Sequence, residues 1–221
     1  MAVAFDAFTF AAAVDPSTTH VPVSDPRAAL FLVSHLTAEP VTATYGGSSL
    51  TIVATEGSTG GEITTQSVTA LFLDGVSSGI QTITVDSGAS GCSLFAYTLT
   101  ASTTVEFVNA VSMESNSIAD PSTTLTISGR AAFVAEAWIS GQDSTTGTGP
   151  LSNWTNRVES DNGTLISGSY SYDIVDTADV TVGSTQGADD WLMLAVAVAE
   201  AVSVGTVSRP PARRPFFGVG R

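Results

Sequence analysis

Asp189-Asp190-Trp191-Leu192-Met193-Leu194-Ala195-Val196-Ala197-Val198-Ala199-Glu200 is the longest apolar run in the chain. Read with period two, Leu192, Leu194, Val196 and Val198 fall on one face, and Trp191, Met193, Ala195, Ala197 and Ala199 on the other. That predicts a strand buried on both sides. Ala, Leu and Met also favour helix, and Asp189 suits a helix N-cap. Periodicity does not separate the two for so short a run, so the rest of the chain decides. Residues 28–36, 67–73, 93–99, 105–113 and 131–139 are apolar runs, and 81–85 alternates cleanly. Residues 41–45 turn back through Gly46-Gly47 into 50–53, a hairpin pattern. Further short segments lie at 124–128, 169–175 and 179–183, and 4–14 is an opening strand or a packing arm. Asp15-Pro16-Ser17 is a turn signal, prolines confine 21–26 to an edge or loop, and 56–62 and 140–150 read as loops. No fixed-length repeat of the solenoid kind stands out. The expected class is all-β: a jelly-roll β-sandwich of about eight to twelve strands, closed by the 189–200 strand.

The pattern changes after the closing strand. Ser208-Arg209-Pro210-Pro211-Ala212-Arg213-Arg214-Pro215-Phe216-Phe217-Gly218-Val219-Gly220-Arg221 holds three prolines, which remove backbone donors and favour an extended polyproline-like course. Three parts follow: 1–27, an N-terminal strand or packing segment; 28–203, the sandwich; and 204–221, an extended C-terminal arm. In the arm, Arg209, Arg213, Arg214 and Arg221 can fork onto carboxylates, and Phe216 and Phe217 can fill an apolar pocket. These are the anchors that interfaces use.

Charge sharpens the division. The chain of 221 residues has a formal net charge of −14 and no lysine. Three arginines against 21 acidic residues leave the part through Glu200 at −18, while four arginines give the remainder +4. An acidic body of this kind is unsuited to nucleic acid, whose phosphates need clustered cations. No apolar run reaches membrane-spanning length, and the N-terminus lacks the basic region of a signal peptide. Cys92 is the single cysteine, so no internal disulfide and no Cys/His zinc cluster is expected, and no cofactor is implied.

Candidate chemistry is sparse. His20 lies near prolines and reads as a surface loop residue, while His35 ends a strand. Neither belongs to a nucleophile or metalloprotease motif, so no catalytic residue is assigned. A glycoside hydrolase would need two carboxylates across a cleft; Glu106, Glu114 and Glu136 lie on expected strands, Glu136 among apolar neighbours, and a strand glutamate facing solvent is the plain reading of each. A sugar site is the stronger alternative. Trp154, Asn156 and Arg157 combine an aromatic face with planar hydrogen-bonding groups after a Gly/Thr-rich loop, the composition expected of a glycan-binding adhesin.

Val41-Thr42-Ala43-Thr44-Tyr45-Gly46-Gly47-Ser48-Ser49-Leu50 resembles the V-t-x-V-t-Y-G-G-x-x-L hairpin of lectin-like, concanavalin-A-like jelly-roll domains of tailed-bacteriophage virion and surface proteins. Gly79 followed by Ile83-Thr84-Val85 is similar to that group's next strand, and Trp191 with 195–201 to its closing strand. Leu71-Phe72-Leu73-Asp74 departs from the group's aromatic-proline step. The resemblance implies a non-enzymatic structural protein of the virion, in a head decoration, spike, fibre or tail tip. Such a protein is made in the host cytoplasm. It would assemble with copies of itself and other virion proteins, with a host surface glycan as a further partner.

Overall fold

The structure is a computed structural model that describes residues 2–36, 41–88, 91–118, 120–127, 129–141, 149–150, 154–161, 166–174, 179–185 and 189–202. The described residues are nearly all strand. The first half contains β1 (Ala4–Val14), β2 (Ser17–His20), β3 (Ala28–His35), β4 (Thr42–Tyr45), β5 (Ser48–Ser49), β6 (Thr51–Gly57), β7 (Ser67–Asp74), β8 (Gln81–Asp86) and β9 (Gly91–Thr100). The second contains β10 (Val105–Ile118), β11 (Ser122–Leu125), β12 (Ala132–Ser140), β13 (Gly149–Pro150), β14 (Thr155–Asp161), β15 (Ile166–Ile174), β16 (Val180–Thr185) and β17 (Asp189–Glu200).

The all-β sandwich is present, and the chain builds it twice. One inner sheet runs β1-β9-β3-β7-β6 and the other β10-β17-β12-β15-β14. One outer sheet runs β2-β8-β4-β5 and the other β11-β16-β13. Substituting β10 for β1, β11 for β2, β12 for β3, and so on to β17 for β9 converts one half into the other; β5 alone lacks a counterpart. Two sequence fragments survive this duplication. Asp15-Pro16-Ser17-Thr18-Thr19 recurs as Asp120-Pro121-Ser122-Thr123-Thr124, and Arg27-Ala28-Ala29 recurs as Arg130-Ala131-Ala132. Their local structure recurs too. Asp15 and Asp120 both have positive φ, at 46° and 51°. The Pro16 carbonyl accepts from Val85 N at 3.0 Å, and the Pro121 carbonyl from Ser184 N at 3.1 Å.

The four sheets form four layers, with the two inner sheets face to face. Leu30, Leu32, Phe95, Tyr97 and Leu99 of one inner sheet meet Phe133, Ile139, Leu192, Leu194, Val196 and Val198 of the other. Phe31, Leu71, Leu94 and Tyr45 fill the space under the first outer sheet. Trp138, Tyr170, Trp191 and Met193 fill the space under the second. The 189–200 run is therefore a strand, between β10 and β12, with the two faces read from its period. The segment 1–27 supplies β1, which pairs along its length with β9, and β2. Two strands rich in polar residues, β2 and β14, were not anticipated.

The halves are clamped reciprocally at their margins, as a local twofold would arrange them. On one side the Phe5 ring of β1 lies under the Arg157 guanidinium of β14, 3.7 Å from its ring centre, and Phe5 N donates to Asp173 Oδ1 at 3.2 Å. On the other, Ser112 of β10 donates to Glu56 of β6 at 2.7 Å. Glu114 of β10 accepts from Ser58 Oγ and from the N–H groups of Thr59 and Gly60, which hold its carboxyl below the usual range. Between these margins Tyr97 Oη meets Ser169 Oγ at 2.5 Å, and burial pushes the phenol pKa up.

Close packing dictates Gly168. Its register partner across β12 and β15 is Trp138, and a Cβ at 168 would stand 2.6 Å from the indole ring. Gly168→Ala should lower stability by about 1–3 kcal/mol, since the indole must leave its rotamer or the strands must part. Urea denaturation checks this, and an unchanged midpoint and slope would contradict the packing described.

Candidate functional site at the open end of the inner sheets

A concavity opens where the two inner sheets end together. The tips of β1, β3, β9, β12 and β15 surround about 300 Å³, lined by Val14, Ser34, Leu36, Cys92, Ile139 and Ser167 among others. Its walls are mostly apolar. Ser93 and Ser167 bond to each other at 2.9 Å, one from each half. The buried Ser34 hydroxyl has no partner among the described residues. His35 Nε2 lies 3.2 Å from Thr69 Oγ1. Cys92 is the register partner of His35 on the neighbouring strand. Burial raises the Cys92 thiol pKa, the Ser87 hydrogen bond only partly offsets this, and Asp15 raises it further. A thiol held above its usual range is a poor nucleophile. The pocket can receive a small apolar body.

Two other polar groups are sealed inside the sandwiches. His20 is not a surface residue. β2 alternates outward and inward, and pairing with β8 turns His20 into the core. There its Nδ1 lies 2.8 Å from Thr9 Oγ1 and its Nε2 2.9 Å from Thr98 Oγ1. Thr98 in turn donates to Asp6 Oδ2 at 2.9 Å, and Asp6 Oδ1 accepts from Ser24. Burial lowers the His20 pKa, with Asp6 acting weakly against it, so the ring is neutral at pH 7.

Glu136 sits in the second half, fully buried under the outer sheet. Its Oε2 accepts from Gly183 N at 2.8 Å, while Oε1 has no partner among the described residues. Gly183 permits the close approach that seals it: its φ is +137°, and a Cβ there would lie 2.0 Å from the Pro121 carbonyl oxygen. Burial pushes the Glu136 pKa up to about 8, with only the Gly183 N–H opposing it, so at neutral pH the group is mostly the uncharged acid.

The sequence-level glycan residues occupy different surroundings. Trp154 is half-buried, packed at the margin of the second outer core, with its ring 5.8 Å from that of Tyr172. Asn156 is exposed. Arg157 turns to the opposite side of β14, where its Nε donates to Ser171 Oγ at 2.7 Å and its guanidinium covers Phe5. Trp154 and Arg157 are thus separated by the sheet and do not share a surface. Arg209, Arg213, Arg214, Phe216, Phe217 and Arg221 lie outside the described residues. Among the described residues no group of three metal-ligating side chains gathers, and no helix is long and apolar enough to cross a membrane. No family model, curated protein or solved structure matches the chain.

Glu136 makes stability depend on pH in a definite direction. Its folded pKa, about 8, stands above the unfolded value near 4.5. The folded state therefore holds the proton more tightly. Its contribution is fully present below about pH 4.5, declines as pH rises, and is exhausted near pH 8. His20 acts in the opposite sense, losing stability as pH falls, so the comparison must isolate one group. The melting-temperature difference between Glu136→Gln and the parent should shift in favour of the variant from pH 5 to pH 8 and level off beyond. A difference that is flat across this range would show that Glu136 does not titrate as described.

Proposed function

We propose that this chain is a non-enzymatic structural subunit of a tailed-phage virion, formed from two stacked jelly rolls and working by assembly. In each half the opening strand lies beside the closing strand and the second beside the penultimate one. This is the winding of an antiparallel ribbon folded over on itself, which supports the jelly-roll assignment. The observation that carries the functional reading is the stack. Two copies of one strand order join sheet to sheet as two subunits would, with both inner sheets closed by packing and their margins clamped. Such a body offers edges and outer faces to neighbours. Its titratable interior groups are sealed from substrate, which favours a mechanical role over a chemical one.

Charge supplies the assembly mechanism. The body is acidic, and the arginines beyond Val202 are its electrostatic complement on a neighbouring copy or on another virion protein. Density-gradient fractions of particles, from lysates in which the chain is produced alongside its phage, should contain it at a fixed ratio to the major particle protein. A chain ending at Val202 should melt as the full chain does and be depleted from particles at least tenfold. Recovery of the full chain only from the soluble fraction would refute the virion reading. Normal incorporation of the shortened chain would refute the role of the arm alone.

A further inference from the structure

The two inner sheets present four edge strands, and three of them are blunted. β14 carries Arg157, Glu159 and Asp161 within seven residues, with a register shift between Asn156 and Val158. β10 carries Glu106 and Glu114 and shifts register twice. β6 is seven residues long, carries Glu56, and shifts between Ile52 and Ala54. Charges, bulges and shortness are the devices that keep an edge from pairing with another chain. β1 has none of them over most of its length. After the shift between Phe5 and Ala7, its ladder with β9 is regular from Ala7 to Val14. The segment Ala7-Phe8-Thr9-Phe10-Ala11-Ala12-Ala13-Val14 contains no charge, no proline and no glycine. Ala12 and Ala13 are exposed, and Val14 is 56% exposed.

We infer that the β1 edge is a self-association surface, on which a second copy of this chain adds its own β1 antiparallel. Three observations favour a second copy over other occupants. The segment is uncharged, so it is a place where two chains of formal charge −14 can meet without opposing like charges. Of the carboxylates at its ends, Asp6 is buried and held by Ser24 and Thr98, and Asp15, which is exposed, accepts from Ser87 N at 2.7 Å. Antiparallel pairing of one segment with itself is isologous and closes at two copies, joining the two β1-containing sheets into one of ten strands. The proline-rich residues 208–215 cannot supply such a ladder, because proline lacks the donor. This inference stands apart from the virion reading, since it concerns the isolated chain.

Light scattering coupled to size exclusion, from 1 to 100 µM, tests it on the full chain, on Ala13→Lys, on Thr155→Lys at the β14 edge, and on a chain ending at Val202. The full chain, the Thr155→Lys variant and the shortened chain should dimerise. Ala13→Lys, which sets like charges in the paired edge, should raise the dimer dissociation constant at least tenfold with its circular dichroism and melting temperature unchanged. If Ala13→Lys is destabilised, Ala12→Lys replaces it. A full chain that stays monomeric at 100 µM overturns the proposal, whether the edge takes a foreign strand or none. It is equally overturned by a dimer indifferent to both lysines, or by one that vanishes with residues 203–221. A shortened chain that dimerises while the full chain does not would show that the chain's own tail covers the edge.

Discussion

Neither face of the inner sheets can be left in water. All eight residues of β3 are buried and all nine of β12, and β17 is buried from Trp191 to Ala199. A single sandwich covers each of its sheets on one side only. Strands that are apolar on both faces need a cover on each, and here the second cover for one inner sheet is the other. Either half alone would expose the wall formed by Leu30, Leu32 and Phe95 or by Leu192, Leu194 and Val196. The polar clamps at the margins are secondary in magnitude. A hydrogen bond contributes about 1 kcal/mol net, whereas burying one large apolar side chain contributes about 1.5–3 kcal/mol. Packing holds the halves together, and the clamps around Phe5 and Glu114 fix the angle and register at which they pack.

The two halves share a winding but have diverged in the polar groups they enclose. In the first, a histidine between two threonine hydroxyls continues to a carboxylate, and each of these groups is satisfied. In the second, the buried carboxylate of Glu136 has a single backbone donor. Its neutral form is what the low-dielectric site tolerates. The close approach at Gly183 belongs to the same arrangement: the missing Cβ lets the start of β11 lie on β16 while its N–H reaches Glu136.

The closing strand was legible because both of its faces are apolar and the alternation of large and small residues survives. The central strands of the two inner sheets were legible for the same reason. β2 and β14 were not. Ser17-Thr18-Thr19-His20 and Thr155-Asn156-Arg157-Val158-Glu159-Ser160-Asp161 lack apolar alternation and owe their extension to pairing with β8 and β15. The environment of His20 was not legible for a related reason. Its proline-containing flank suggests solvent, but Thr98, which meets it in space, is distant in sequence. The duplication escaped a search for fixed periods because its two surviving fragments are spaced unequally: Asp15 to Asp120 exceeds Arg27 to Arg130 by two residues. Two pentapeptide- or tripeptide-sized matches are a weak signal until the strand orders coincide.

The arginines link the fold to its charge. Each of the three in the body is already engaged. Arg27 forks onto Asp74, with bonds of 3.0 and 2.9 Å, and Asp74 also accepts from Val105 N where the second half begins. Arg130 pairs with Glu106 at 2.8 Å and donates to the Glu200 carbonyl, tying the end of the closing strand to β10. Arg157 covers Phe5 across the junction of the halves. All three cations thus serve strand ends and the seam, and with no lysine in the chain the body holds no further cation to set against its remaining carboxylates. The remaining cationic side chains of the chain are the four arginines beyond Val202, so the sequence sets an acidic body beside a basic C-terminal segment.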